Sequence, residues 1–432
     1  MKPWLVTILL TGCYMLSIID RQVIAFVALD IKRDLAISDF ELGLVQGFAF
    51  SIFYAAAGIP LGWAIDRFPR TRLIAGALII WSGMTICCGF ARGFASLALS
   101  RIGVGAGEAV LTPGAYSIMS DSFPRRHFAT ASMIYSLGAP FAAAGAAWLS
   151  ATMLASAADD GTVILPLIGP IAGWRAVFLV AGAPGIVLAL LVLAIREPRR
   201  QGGSGESEYD GALLPFLRQN WTVHLVFAAS SMLTVVIHYC FAAWSPAILG
   251  RVFAWNPAQI GAALGMIAVV CGILGCLLGG VTSSWLLRRE RPSSMLRVAG
   301  IAVGVTALSG LAAPFLSTGG QFVATVAVAG IATPLLLMVG PTLLQVITPA
   351  ELRGRMTATF MFINVGLGAG AGPSLVGALS TYFFRPDQLA LALGCVVAGA
   401  GLLAAIGFLS LVGSVDAYVA RMGGSIRLGD QG

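Results

Sequence analysis

Four ionisable residues stand inside apolar runs long enough to cross a bilayer: Asp20 and Arg21 in the first run, Arg101 and Glu108 in the fourth. A charge at mid-membrane costs about 2.5–3.5 kcal/mol on insertion scales. A chain that keeps four has a use for them. Arginine suits capture of a carboxylate or phosphate, and a carboxyl group at that depth suits carriage of a proton. Asp20 and Glu108 are therefore the proton candidates, and Arg21 and Arg101 the anion-binding candidates. Arg101 and Glu108 share one helix face, roughly 10 Å apart along the axis. Gly105 lies between them on that face, where it is expected to leave open space, and Thr112 continues the stripe. Gly103 and Gly107 fall on the opposite face, where a neighbouring helix can pack closely. Asp20 and Arg21 are adjacent and point about 100° apart. One is expected to face a central cavity and the other a neighbouring helix. The competing reading is an Arg–Glu pair that only locks helices together.

A frame of membrane helices must position these groups. Of 432 residues, 58% are hydrophobic and 10% are charged, whereas soluble domains carry about 25% charged residues. The expected fold class is an all-α polytopic membrane protein. Twelve spans are expected, near 4–28, 40–64, 71–90, 95–120, 128–154, 173–195, 221–249, 257–287, 294–316, 321–347, 355–383 and 388–413. The stretch 155–172, interrupted by Asp159, Asp160 and Gly161, reads as an extended loop. The polar stretch 196–218 contains Gly-Gly-Ser-Gly-Glu-Ser-Glu and is flexible by composition. It divides a first six-helix bundle, 1–195, from a second, 219–413, with 414–432 as a tail. The halves echo each other: Pro124 to Pro140 and Pro349 to Val365 both run from a proline-started basic loop into a helix rich in small residues. Two repeated bundles are the architecture of many secondary transporters.

Eighteen of the 26 Lys and Arg residues fall on the side of the termini, six on the opposite side and two, Arg21 and Arg101, in the membrane. The positive-inside rule then puts both termini in the cytoplasm of a multi-pass protein of the cell (inner) membrane. Basic residues scattered in short clusters between apolar runs do not suit nucleic acid. The seven cysteines all lie in apolar runs with no metal or disulfide spacing, and read as packing residues. Leu10-Thr-Gly-Cys13 has the look of a lipoprotein cleavage box, but hydrophobicity continues to Ala28, so a first span is the better reading. Three scattered histidines, at 127, 224 and 238, offer neither a metal site nor a catalytic set, so no enzyme is expected. No nucleotide-binding loop appears. A channel or receptor would leave the two-half repetition without a purpose.

The second span ends in Gly62-Trp-Ala-Ile-Asp66-Arg67-Phe-Pro-Arg70-Thr-Arg72. An acid at the membrane edge can accept from another helix's N-terminus and pair with arginines. Gly62, Asp66, Arg67, Arg70 and Arg72 are therefore expected to form a cytoplasmic latch between the bundles. This stretch resembles the loop signature between helices two and three of the major facilitator superfamily, with Pro69 where glycine is more usual. Arg101, Gly105, Gly107 and Glu108 resemble its fourth-helix signature. The second half holds a worn copy of the loop signature, with Gly280, then Ser284 where an acid would stand, then Arg288 and Arg289. Within the superfamily, Asp20-Arg21, the Ile-Ser-Asp-Phe-Glu-Leu-Gly-Leu stretch at 37–44 and Gly107-Glu-Ala109 resemble the spinster branch. That resemblance implies transport of sphingosine-1-phosphate or a lysophospholipid. The organic anion:cation symporter branch shares the helix-one acid and arginine and the Gly-Glu-Ala. Many of its members show Trp-Phe-Pro-x-x-Glu-Arg after helix four, where this chain has Ser122-Phe123-Pro124-Arg125-Arg126-His127-Phe128.

Spans seven to twelve hold none of the deep Asp, Glu or Arg residues and offer His238, Tyr239, Phe241, Trp244, Phe360, Met361, Phe362 and Asn364 instead. If the halves face each other across one cavity, one wall is charged and the other apolar or aromatic. That suits an amphipathic anion with its head on Arg21 or Arg101 and contacts to His238, Tyr239, Phe360 and Asn364 on the second bundle. No cofactor is expected, a proton gradient is the expected driving force, and a monomer is the expected state. The alternative is a proton-coupled symporter of small organic anions. Glycines 138 and 145, and 366 to 372 before Pro373, are expected to permit the helix bending that rocking between two states requires.

Overall fold

The computed structural model describes residues 2–157, 161–165, 169–198, 216–218, 221–289, 293–348 and 352–421. Most of the expected linker, 199–215, and the tail beyond 421 lie outside these residues. Twelve helical stretches are long and apolar enough to span a membrane. In the first half the helices are α1 (Pro3–Phe26), α2 (Ala28–Leu35), α3 (Asp39–Gln46), α4 (Phe48–Arg67), α5 (Arg70–Gly89), α6 (Phe94–Glu108), α7 (Leu111–Ser122), α8 (Arg125–Ala155) and α9 (Gly173–Leu193). The second half has α10 (Trp221–Arg251), α11 (Pro257–Arg288), α12 (Ser293–Ala312), α13 (Gly319–Val346), α14 (Arg353–Met361), a π-helical segment (Phe362–Gly368), α15 (Ala369–Tyr382) and α16 (Leu389–Arg421). The twelfth span therefore continues eight residues past the expected end at 413, because Val415 still packs in the core.

Within 155–172 the expected loop is partly a hairpin. β1 (Thr162–Leu165) pairs antiparallel with β2 (Gly169–Ala172), Thr162 opposite Ala172. The β-branched run Thr162-Val163-Ile164 favours a strand. Gly161 (φ 76°) and Gly169 (φ 87°) supply the left-handed turns at its ends.

Three spans of the first half break along their length. α1 yields to α2 at Val27, α3 to α4 at Gly47, and α6 to α7 at Ala109 and Val110. Gly47 is required there: a Cβ would stand 2.4 Å from the Gly370 carbonyl of the opposite half. The π-helical segment breaks the eleventh span near the same level. Its Gly366 carbonyl accepts from the Ser51 hydroxyl across the seam at 2.9 Å.

Two apolar clusters form the core. One runs through the second half and crosses the seam to the far end of the first, joining Val27, Ile31, Leu42 and Val45 to Trp244 and Ile248. The other lies inside the first half nearer the face that carries the N-terminus, around Leu10, Trp81 and Met119. The halves are thus packed together at the face opposite the termini. Toward the terminal face they part: Ile52, Phe53, Ile59 and Trp63 of α4 are exposed, and nothing stands within 4 Å of a Cβ built on Gly58 or Gly62.

Candidate functional site

The deep charges converge on α1. Ser17 and Arg21, one helical turn apart, share a face toward α6, which ends at Glu108. The Ser17 hydroxyl donates to Glu108 Oε2 at 2.7 Å, and Arg21 Nε donates to the same oxygen at 2.6 Å. Glu108 is fully buried, whereas the Arg21 side chain keeps 17% exposure. The guanidinium lies over two rings of α4, 4.8 Å from the Phe50 centroid and 4.6 Å from that of Tyr54. Cation–π contacts and one ion pair therefore hold the group in place. Tyr239, from α10 in the second half, stands within electrostatic range of Arg21. Partly buried His238 packs edge-on against the Tyr239 ring, 5.2 Å between centroids.

Asp20 points away from Arg21, into the bundle. Its side chain is 0% exposed, and neither carboxylate oxygen has a hydrogen-bond partner among the described residues. Thr85 of α5 and Arg101 of α6 lie close by. Arg101 is 1% exposed and its Nη1 donates to the backbone carbonyl of Asp20 at 3.0 Å. Its guanidinium also lies 5.1 Å from the Phe50 ring. The structure thus pairs Glu108 with Arg21 and leaves Arg101 bracing α1 from behind.

Gly105 differs from its expected role. The face between Arg101 and Glu108 is not open: a Cβ on Gly105 would stand 2.4 Å from the Phe50 carbonyl, so α4 packs against it. Gly103 and Gly107 do meet a neighbouring helix, at Met84 and Trp81 of α5. On the second half, Phe360 is buried, stacked on Phe227 at 5.6 Å between centroids. Asn364 is buried too, and its Nδ2 donates to the Phe360 carbonyl at 2.8 Å. Phe360 thus packs into the second bundle, and Asn364 bonds back to its own helix within the π-helical segment.

At the terminal face, Asp66 is exposed and makes no hydrogen bond or ion pair among the described residues. Arg67 stacks over Trp63 at 4.1 Å, and Arg72 is exposed. Arg70 is the buried member, at 1% exposure. Its Nε donates to Glu197 at 2.8 Å, its Nη1 to Asp121 at 2.5 Å and its Nη2 to the Pro198 carbonyl at 2.9 Å. These bonds tie α5 to α7 and to the end of α9 within one half. Asp121 and Glu197 carried no sequence signal beyond being acids at helix ends. Burial would push the Glu197 carboxyl up, but donation from Arg70 and Thr71 outweighs it and holds the group below its ordinary 4.5. Its contribution to stability is therefore full above pH 4.5 and is lost as pH falls through the lower folded value. Arg70→Ala strands two acids and is expected to cost about 3 kcal/mol. A thermal scan in detergent at pH 7 checks this; an unchanged Tm would refute it.

At the opposite face, Asp39 is the hub, with its side chain 3% exposed. It accepts from Lys32 at 2.7 Å and, across the seam, from both terminal nitrogens of Arg251 at 2.8 and 2.9 Å and from Ser380 at 2.7 Å. The Phe40 amide donates to Thr381 Oγ1 at 2.9 Å beside it. Ser38 and Glu41 form a capping box that starts α3 and places Asp39 at its first position. That box is legible in Ser-x-x-Glu; its partners Arg251 and Ser380, more than 200 residues on, are not.

Two broken-helix bundles around one buried ionic site, closed at one face and parted at the other, define a membrane carrier. The chain belongs to the Major Facilitator Superfamily, whose sequence profile matches residues 10–373, and it is a transporter, not an enzyme. It is 28% identical over 409 residues to an MFS-type efflux pump of Mycolicibacterium smegmatis, covering 94% of this chain and 89% of that one. It is 27% identical over 320 residues to the probable galactarate/D-glucarate transporter GudP of Escherichia coli (strain K12), covering 66% and 67%. Its fold matches a bacterial homolog of the human lysosomal transporter spinster, in an inward-facing and unoccupied conformation, with a TM-score of 0.78, 27% identity and 98% of each chain covered. The resemblance to the spinster branch thus extends to the whole fold.

Proposed function

We propose that this transporter carries an amphipathic molecule with one anionic head, of the lysophospholipid or sphingosine-1-phosphate type, by proton-coupled alternating access. The observation that carries the reading is the contrast between the two deep arginines: Arg21 keeps 17% exposure, whereas Arg101 is 1% exposed. One accessible guanidinium serves one carboxylate or phosphate. A dicarboxylate sugar acid would bring a second anionic group with no deep arginine left to receive it. The similarity to GudP is what favours the alternative, a small organic anion symporter. The parted face is read as cytoplasmic, on the distribution of basic residues, which makes this the inward-facing state.

The coupling runs through the shared arginine. A head group that draws Arg21 away leaves Glu108 to exchange its ion pair for a proton, and the linkage is reciprocal. Asp20, buried beside Thr85 and Arg101, is the second carrier. Glu108→Gln keeps the shape and removes the exchangeable proton. It is expected to abolish the response of uptake to a pH gradient while the protein still folds; retained pH dependence rules Glu108 out as the coupling residue.

The functional reading is tested by uptake of labelled lysophospholipid and sphingosine-1-phosphate into proteoliposomes, with and without a pH gradient. Gradient-driven lipid uptake is the expected result. Lipid uptake indifferent to the gradient removes the coupling. Uptake of a small dicarboxylate with no lipid uptake moves the protein to the alternative.

A further inference from the structure

Tyrosines from five different helices gather about Tyr14 of α1. Tyr54 of α4, Tyr116 of α7 and Tyr239 of α10 lie within electrostatic range of Tyr14, and Tyr14, Tyr54 and Tyr239 lie within range of Arg21. Tyr135 of α8 joins Tyr14, Tyr54 and Tyr116. Five of the chain's eight tyrosines are thus in one place. The rings brace each other: Tyr14 stacks on Tyr135 at 4.6 Å between centroids, and Tyr116 meets Tyr135 edge-on at 5.5 Å. Gly138 allows this, since α1 passes so close that a Cβ there would stand 3.0 Å from Thr11 and 3.5 Å from the Tyr14 ring. Tyr135 is buried, and its hydroxyl meets Thr112 Oγ1 at 3.4 Å; Tyr14, Tyr54 and Tyr116 remain partly exposed. The hydroxyl of Tyr116 has only a long contact, 3.4 Å to Ser136 Oγ.

Simple packing would be served as well by phenylalanine. A phenol brings a donor and acceptor that membrane helices otherwise have to satisfy. Here several phenols are set beside the one deep guanidinium that is open to a ligand. The Tyr54 ring lies 4.6 Å from the Arg21 guanidinium carbon. A ligand whose anionic group rests on Arg21 therefore has Tyr14, Tyr54 and Tyr239 within electrostatic range.

We infer that the tyrosine cluster reads a hydroxyl group next to the anionic head, so that the transporter selects hydroxylated single-chain phosphates over otherwise identical phosphates that lack the hydroxyl. This rests on the amphipathic-anion reading above and sharpens its substrate class. The physical reason is asymmetric: a site built to hydrogen-bond a hydroxyl loses those bonds when the analogue lacks it. One or two hydrogen bonds in a partly open cavity correspond to about tenfold in uptake efficiency.

The test compares 1-O-oleyl lysophosphatidate with its 2-deoxy analogue, which differ by one hydroxyl, in proteoliposomes of the full chain. The hydroxylated compound is expected to be taken up about tenfold more efficiently. The triple variant Tyr14→Phe, Tyr54→Phe, Tyr116→Phe keeps every ring, and is expected to bring the ratio close to one. Competition binding to the purified protein gives the same ratio without a transport step. Equal uptake of both compounds by the unsubstituted protein overturns the inference and leaves the amphipathic-anion reading standing. A preference that survives the triple variant overturns the assignment to these tyrosines. Uptake of neither compound overturns the amphipathic-anion reading, and this inference with it.

Discussion

Uptake of an amphipathic phosphate is expected to fall at least about a hundredfold when Arg21 is replaced by alanine, the loss of two charge-assisted hydrogen bonds to the head. Arg21 is the deep cation that a ligand can reach, and Phe50, Tyr54 and Glu108 hold its guanidinium plane in place. Arg21→Lys keeps the charge but not the planar fork, so it is expected to recover only part of the activity. The substitution also strands Glu108, whose Oε2 would keep only the Ser17 hydroxyl. The double variant Arg21→Ala, Glu108→Gln removes that stranded charge. If uptake returns in the double variant, Arg21 merely neutralises Glu108, and its assignment as the head-group ligand fails.

The second large effect is expected at the opposite face. Asp39→Ala removes the acceptor for Lys32, Arg251 and Ser380 at once. Removing one partner from a buried, hydrogen-bonded ionic cluster costs about 3 kcal/mol or more. That energy is available only while the halves are closed at this face, so its loss shifts the balance toward opening there by about a hundredfold. Spin labels on the ends of α3 and α15 at this face would report the change as a longer distance. Arg251→Ala is expected to shift the distances the same way, since it removes the largest cross-seam contribution. Distances that stay unchanged in both folded variants would show that apolar and glycine packing alone closes the seam. Transport is expected to slow in both, because an alternating-access carrier must revisit the state closed at this face in every cycle.

How much of this could be read along the chain divides by the range of the physics. Hydropathy is additive over about twenty consecutive residues, so twelve spans, the polar stretch at 196–218 and four charges at membrane depth follow from the sequence by itself. Helix period is local too. It placed Gly103 and Gly107 on a packing face, and it turned Asp20 and Arg21 in different directions. The motif around Asp66 was equally legible, but the role of its members was not: burial selects Arg70, and its partners Asp121 and Glu197 come from other helices.

Partnership between spans was decided only in three dimensions. The face shared by Arg101 and Glu108 invited pairing with each other or with a ligand, yet Glu108 bonds Arg21 and Arg101 bonds the α1 backbone. The rotation of each helix about its axis settles this, and rotation is set by packing. The carbonyl of Phe50 fills the space at Gly105, the break at Gly47 lets the two halves touch, and Phe360 stacks on Phe227 inside the second bundle. The tyrosines at 14, 54, 116, 135 and 239 look unrelated in the chain, because nothing in a period of 3.6 residues links positions on five helices. Their meeting, like that of Asp39 with Arg251, is a property of the folded bundle, where interhelical contacts fix geometry that no stretch of sequence encodes alone.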